Sequence, residues 1–255
     1  MDSGIDVIRH SENVMGTVVS FAVVPGNSPA RAAAAAVESA CAVLHEADRT
    51  FSTWDPQSPV SRLRRGAASL SDLPAEVAGV LEFCESARKA SAGWFDPWAI
   101  EGGVDPTGLV KGWAVDQAVA VLREAGMEAA MVNGGGDVAV FGVPASGQSW
   151  RIGIRHPWRA GSLAAIVVAT GAVATSGSYQ RGSHLLNPFT GDLASKAASA
   201  TVTGPSLALA DALATALAVG GDEVLAIVAG LDGYAGYLIR PDGTEADTGN
   251  VAFAS

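Results

Sequence analysis

The chain has 255 residues, 49% of them hydrophobic, with 30 glycines and a formal net charge of −10. That composition suits a compact globular protein with a substantial core and excludes an intrinsically disordered one. No basic run exceeds the Arg64-Arg65 pair, which argues against a nucleic-acid backbone as partner, because phosphate binding there needs clustered Lys and Arg.

The opening MDSGIDVIRHSEN lacks the apolar core of a secretory signal. No apolar run reaches the roughly 18 residues that a membrane span needs. A cytoplasmic protein without membrane insertion is therefore expected. Val14 to Val24 reads as a strand, and Ser28-Pro29 opens an Ala-rich helix to about Asp48, with Ser as cap and Pro at the first helical position. A polar loop, Ser52 to Ser61, leads to a second helix from about Pro74 to Ser91. Cys41 and Cys84 fall inside these helical patterns and read as buried free thiols. A loop rich in Gly, Pro and Trp, Gly93 to Thr107, precedes a third helix from about Gly108 to Ala125, closed by Gly126.

From there the pattern turns to strands: Ala130 to Val132, Val138 to Phe141, Trp150 to Arg155, Leu163 to Ala169 and Val173-Ala174. After a loop from Ser176 to Thr190, a strand near Ala200 to Thr203 feeds a helix over Leu207 to Val219, and a shorter helix covers Glu223 to Ala229. Gly236 to Arg240 and Glu245 to Thr248 close the chain as a hairpin around Pro241-Asp242-Gly243. Helices and strands come in blocks, which points to an α+β fold.

Three segments carry chemistry. Leu207 to Val219 has only Asp211 and Thr215 as polar residues, and a helix apolar all round is normally buried. Its carboxylate must then be paired, hydrogen-bonded or metal-bound. Residues four apart share a helix face, so Asp211 and Thr215 can offer two oxygens to a hard cation; a core Asp bonded to a neighbouring loop fits the same pattern. The stretch Asp105-Pro-Thr-Gly-Leu-Val-Lys111 opens the third helix, where free N–H groups and Lys111 could hold phosphate, or where an ordinary cap could stand beside an exposed lysine. Asn133-Gly-Gly-Gly-Asp137 allows close backbone approach to a ligand, and equally a plain hairpin turn. In the polar loop Ser183 to Gly191, His184 is able to act as an acid or base near neutral pH or simply to be solvated. There is no Gly-x-Ser-x-Gly elbow, nor any His/Cys spacing of zinc type.

The order of the segments is more specific than any one of them. Met15-Gly-Thr17, Phe51-Ser-Thr-Trp54, Val60-Ser-Arg-Leu63, Gly93-Trp-Phe-Asp-Pro97, Asp105 to Asp116, Val132-Asn-Gly-Gly-Gly-Asp137, Ala174-Thr-Ser-Gly177, His184 to Gly191 and Ala210-Asp-Ala-Leu-Ala-Thr215 come in series. That series resembles the ApbE-type flavin transferases, the FAD:protein FMN transferases, from Val14 to about Leu231. The resemblance implies a single α+β domain over residues 1–255, a sandwich of mixed or antiparallel sheets flanked by helices, with FAD in a central cleft. It implies Mg2+-dependent transfer of FMN from FAD to a Ser or Thr hydroxyl of an acceptor protein with an FMN-binding-type domain, releasing AMP. Metal ligands fall on Asp211, Thr215 and the carbonyl of Gly108. Flavin-contacting positions fall on Met15, Trp54, Trp94, Phe95, Asp96, Asp105, Lys111, Leu185 and Leu186. His184 is the expected proton acceptor, with Asp211 the other catalytic candidate. Alternatives on the same scaffold are a FAD pyrophosphatase, giving FMN and AMP, and a flavin-binding protein without turnover. The sequence departs from the family pattern in having Trp54 for Tyr, Gly108 for Ala and Asn187 for Asp. The stretches Pro97 to Asp105 and Gln180 to His184 are shorter than usual, which is expected to open the cleft or change the acceptor it takes.

Overall fold

The computed structural model describes residues 7–100, 102–144, 146–177, 185–194 and 196–254. The chain opens with β1 (Ile8–Val14) and β2 (Thr17–Val24), followed by helices α1 (Ala30–Phe51), α2 (Pro59–Arg64), α3 (Ala75–Ala90) and α4 (Thr107–Glu124). Five strands come next: β3 (Ala129–Gly134), β4 (Asp137–Phe141), β5 (Trp150–Arg155), β6 (Leu163–Ala169) and β7 (Ala172–Ser176). Then β8 (Ser199–Gly204), α5 (Leu207–Gly220), α6 (Asp222–Ala229), β9 (Ala235–Ile239) and β10 (Glu245–Asp247) complete the fold.

Eight strands form one sheet in the order β1-β2-β3-β4-β7-β8-β9-β10, and β5 pairs with β6 in a second. Every strand pairing among the described residues is antiparallel, so the sheets are not mixed. Side chains alternate across a strand, and here both faces of the sheet centre are covered. Ala139, Phe141, Ala172, Ala174 and Leu238 join the helices in the main core. Their neighbours Val138, Val140, Val173, Tyr237 and Ile239 pack with Ile154 and Val167 of the β5–β6 hairpin. This is why β4 and β9 are buried along their whole length.

Most elements lie where the sequence places them, and the exceptions have physical reasons. Val14 to Val24 is not one strand. Met15 and Gly16 form a two-residue turn, both with positive φ (53° and 66°), and Val14 pairs with Thr17 across it. That is a hairpin turn of the kind whose twist matches the flanking strands. Its partner β1, IRHSENV, shows too few apolar residues to read as a strand because it forms the sheet edge. The short helix α2 lies in what reads as loop; Ser58 caps it by accepting the Ser61 N–H at 3.0 Å. Ser28 does not cap α1: Pro29 holds the cap position and the helix runs on to Phe51. Cys41 and Cys84 are free and buried as expected, and burial pushes the Cys84 thiol up to about 12. No described helix is long and apolar enough to cross a membrane.

Two features lock α5 against α4. A Cβ at Gly112 would lie 2.6 Å from the Leu207 carbonyl oxygen, so only glycine lets the backbones come this close. Asp116, on the same helix, accepts the N–H groups of Leu207 and Ala208, both at 3.0 Å, and the Ser206 hydroxyl at 2.9 Å. A carboxylate from one helix thereby satisfies the free N–H groups at the start of the other. Asp116→Ala should lower unfolding stability by about 2 kcal/mol, the upper range for a lost cap, with Asp116→Asn retaining part of it; urea unfolding midpoints measure both.

Candidate functional site

The locked α4–α5 pair carries the charged centre of the molecule. Lys111 projects from the first turns of α4, Asp211 from the middle of α5, and Asp137 from the start of β4 just beyond the glycine run. The Lys111 ammonium forms ion pairs with both carboxylates, at 3.1 Å to Asp211 Oδ2 and at short range to Asp137 Oδ2. Asp137 also accepts the Thr175 N–H through Oδ1 at 2.8 Å, which ties the end of β7 into the cluster. Both carboxylates are nearly sealed from solvent, with side-chain exposures of 7% for Asp137 and 6% for Asp211.

Burial sets the electrostatics. It pushes the Asp211 carboxyl up to about 6, with Lys111 pulling the other way and Asp137 adding to the rise. Burial alone would lower Lys111, but the charges of Asp211 and Asp137 more than offset it and hold the ammonium firmly protonated. Two carboxylates face one ammonium, which leaves one negative charge over in a site with little water.

Above this floor lies a cavity of about 320 Å³. Trp94, Phe95, Asp96, Asp105, Gly108, Lys111, Leu185, Leu186, Asp211 and Thr215 all line it. Ser91 Oγ accepts the Phe95 N–H at 3.0 Å, and Trp94 stands edge-on to Phe189 at 4.9 Å, so the aromatic wall is held on two sides. A methyl at Gly108 would lie 3.1 Å from the Phe95 ring, so the Gly-for-Ala departure lets that ring settle closer onto α4. Thr215 Oγ1 is 3.3 Å from Ser176 Oγ. Asp105 occupies the α4 N-terminus itself, accepting the N–H of Thr107 at 3.0 Å and its hydroxyl at 2.6 Å. The shortened stretch before it closes on itself, the Asp105 N–H donating to the Pro97 carbonyl at 2.8 Å. Asn187 spends its Oδ1 on the Phe189 N–H at 2.9 Å, a turn-forming contact.

Two positions expected at the flavin do not line this cavity. Met15 sits half-buried at the β1–β2 turn, against the main core. Trp54 is 94% exposed in the loop after α1. His184 lies outside the described residues. The sequence motifs include Asp137, Thr175 and Ser176 without giving them a role, and the structure brings all three to the cavity. The available signal was a carboxylate directly after three glycines and at the start of a buried strand.

The donor chemistry suits a hard cation. Asp211, Thr215 and Gly108 all line one cavity, beside an excess negative charge, and their polar groups offer oxygen donors alone, the type of set that favours Mg2+ over softer metals.

The ApbE family model matches residues 15–101 and 99–238, and the chain belongs to the ApbE family. It is 38% identical over 129 residues to the FAD:protein FMN transferase of Rhodobacter capsulatus, covering 47% of this chain and 24% of that protein. It is 36% identical over 131 residues to that of Vibrio cholerae, covering 47% of this chain and 39% of that protein. The matches thus span about a quarter to two fifths of these relatives' length. The fold is that of the solved Vibrio cholerae flavin transferase ApbE, with a TM-score of 0.80 at 22% identity over 97% of each chain. The apo flavinyl transferase ApbE of Pseudomonas stutzeri superposes with a TM-score of 0.81 at 23% identity over 97% of each chain.

Removing the ammonium leaves two buried like charges without their counter-ion. Lys111→Met should therefore cost about 3 kcal/mol of stability, and adding Asp137→Asn to it should recover part of the loss. A double-mutant cycle by urea unfolding checks both values.

Proposed function

We propose that this chain transfers FMN from FAD to a Ser or Thr hydroxyl of an acceptor protein, with Mg2+ required and AMP released. The observation that carries this reading is Lys111 held between Asp137 and Asp211 at the floor of an aromatic-walled cavity whose remaining polar groups are hard oxygen donors. Family membership and the names of the relatives support the same chemistry.

In this account Trp94, Phe95, Leu185 and Leu186 pack against the ring systems of FAD and exclude water from them. Lys111 offers positive charge to the pyrophosphate, while Asp137 and the Thr175 amide hold the lysine chain in place. Asp211, Thr215 and the Gly108 carbonyl would hold Mg2+. When bound, the ion supplies Lewis-acid neutralisation of the phosphate charge. The acceptor oxygen attacks the FMN-side phosphorus, a new P–O bond forms, the bridging P–O bond breaks and AMP leaves with the bridging oxygen. His184 is the residue proposed to accept the hydroxyl proton.

The assay is AMP release from FAD with and without Mg2+, alongside intact-mass analysis of an FMN-binding-type acceptor domain. The expected result is Mg2+-dependent AMP together with an acceptor heavier by one FMN. AMP without the mass gain, with water as acceptor, would instead indicate a pyrophosphatase. Asp211→Ala should keep its fold, since Lys111 retains Asp137, and lose at least about a hundredfold in turnover, as removal of several kcal/mol of charge stabilisation implies. Normal AMP release from that variant would remove Asp211 from the metal set.

A further inference from the structure

A second group of side chains able to ligate a metal lies between β1 and α1, and none of them lines the cavity just described. His10 and Glu12 are two apart on β1 and so share a strand face. Cys41 and His45 are four apart on α1 and so share a helix face. The fold turns these two faces toward each other. The ligand atoms of His10, Glu12 and Cys41 all lie within 4.8 Å of one another. His10 Nε2 is 3.0 Å from Glu12 Oε2, and His45 Nε2 is 3.0 Å from Glu12 Oε1.

We infer that His10, Glu12 and Cys41 form a binding site for a zinc-class divalent cation, with His45 as the positioning residue that orients the Glu12 carboxylate.

The donor set decides the class of metal. One thiolate, one imidazole and one carboxylate suit zinc and its neighbours, whereas Mg2+ and Ca2+ take oxygen alone. Zinc bonds of about 2.0–2.3 Å put tetrahedral ligand atoms roughly 3.3–3.8 Å apart, within the present spread of the three groups. Three protein ligands leave a fourth position for water, and the partial exposure of His10 (40%) and His45 (42%) gives an ion a route in. Ligating carboxylates are themselves held by hydrogen bonds in such sites, and His45 supplies that contact to Glu12. The site would act as a staple. Among the described strands β1 is paired only with β2, at the sheet edge, and a metal shared with α1 would tie that edge to the helical layer.

The test uses reduced, metal-stripped protein without an affinity tag, in excess Mg2+ so that oxygen-only sites are filled. Titration with Co2+ should raise a thiolate-to-cobalt charge-transfer band and the visible bands of tetrahedral cobalt, saturating at one equivalent and bleached by Zn2+. Cys41→Ser and His10→Gln should each abolish the charge-transfer band. His45→Gln should keep it while weakening affinity by about 10–100-fold, the cost of losing an outer support. Zn2+ should raise the Tm of the parent protein and leave that of Cys41→Ser unchanged. Absence of the band at saturating Co2+, or its survival in Cys41→Ser or His10→Gln, would overturn the inference.

Discussion

The ion-paired group of Lys111, Asp137 and Asp211 joins parts of the chain that are remote in sequence. The lysine comes from α4, one carboxylate from α5 and the other from the start of β4. Burying three charged groups is costly unless they satisfy one another, and losing one partner of such a set costs more than the set contributes. The surrounding structure is arranged so that they meet. Gly112 allows the backbones of α4 and α5 to touch, Asp116 anchors the start of α5 on α4, and the Thr175 amide fixes Asp137 from β7. The groups of this centre are oriented before anything binds, and its excess negative charge means that a polyanionic ligand would need a bound cation there as well.

How much of this was legible depends on whether the signal is local. The α5 helix could be read in full because a lone carboxylate in an otherwise apolar run announces its own burial, and the bounds of β5 and β6 follow from alternation over a half-exposed hairpin. The edge strand β1 was hidden because an edge has little to bury and reads as polar chain, while Met15 continues the apolar pattern straight through the turn. Asp137 was hidden for a different reason. Three glycines before an Asp describe an ordinary hairpin as well as they describe a site, and only the tertiary partner, Lys111, 26 residues away in sequence, separates the two. Trp54 shows the opposite case: its place in a familiar run of residues implies stacking, and the structure places it 94% exposed, outside the cavity lining.

The cluster on β1 and α1 follows the same logic. Its strand pair and helix pair each have a periodicity that brings two side chains to one face, but about thirty residues separate the pairs, so no local spacing reveals them. The two sites also divide donor chemistry between them. In the proposed readings, oxygen donors alone would serve the cavity, whereas the β1–α1 cluster adds a thiol and an imidazole to a carboxylate.

The most direct measurement is anomalous scattering from crystals of this protein grown with FAD and Mn2+ in place of Mg2+. The account predicts an anomalous peak coordinated by the Asp211 carboxylate, the Thr215 hydroxyl and the Gly108 carbonyl. It also predicts the pyrophosphate at Lys111 and the rings against Trp94 and Phe95. FAD bound in the cavity with its pyrophosphate away from Lys111, or with no metal peak at those oxygens, would contradict it.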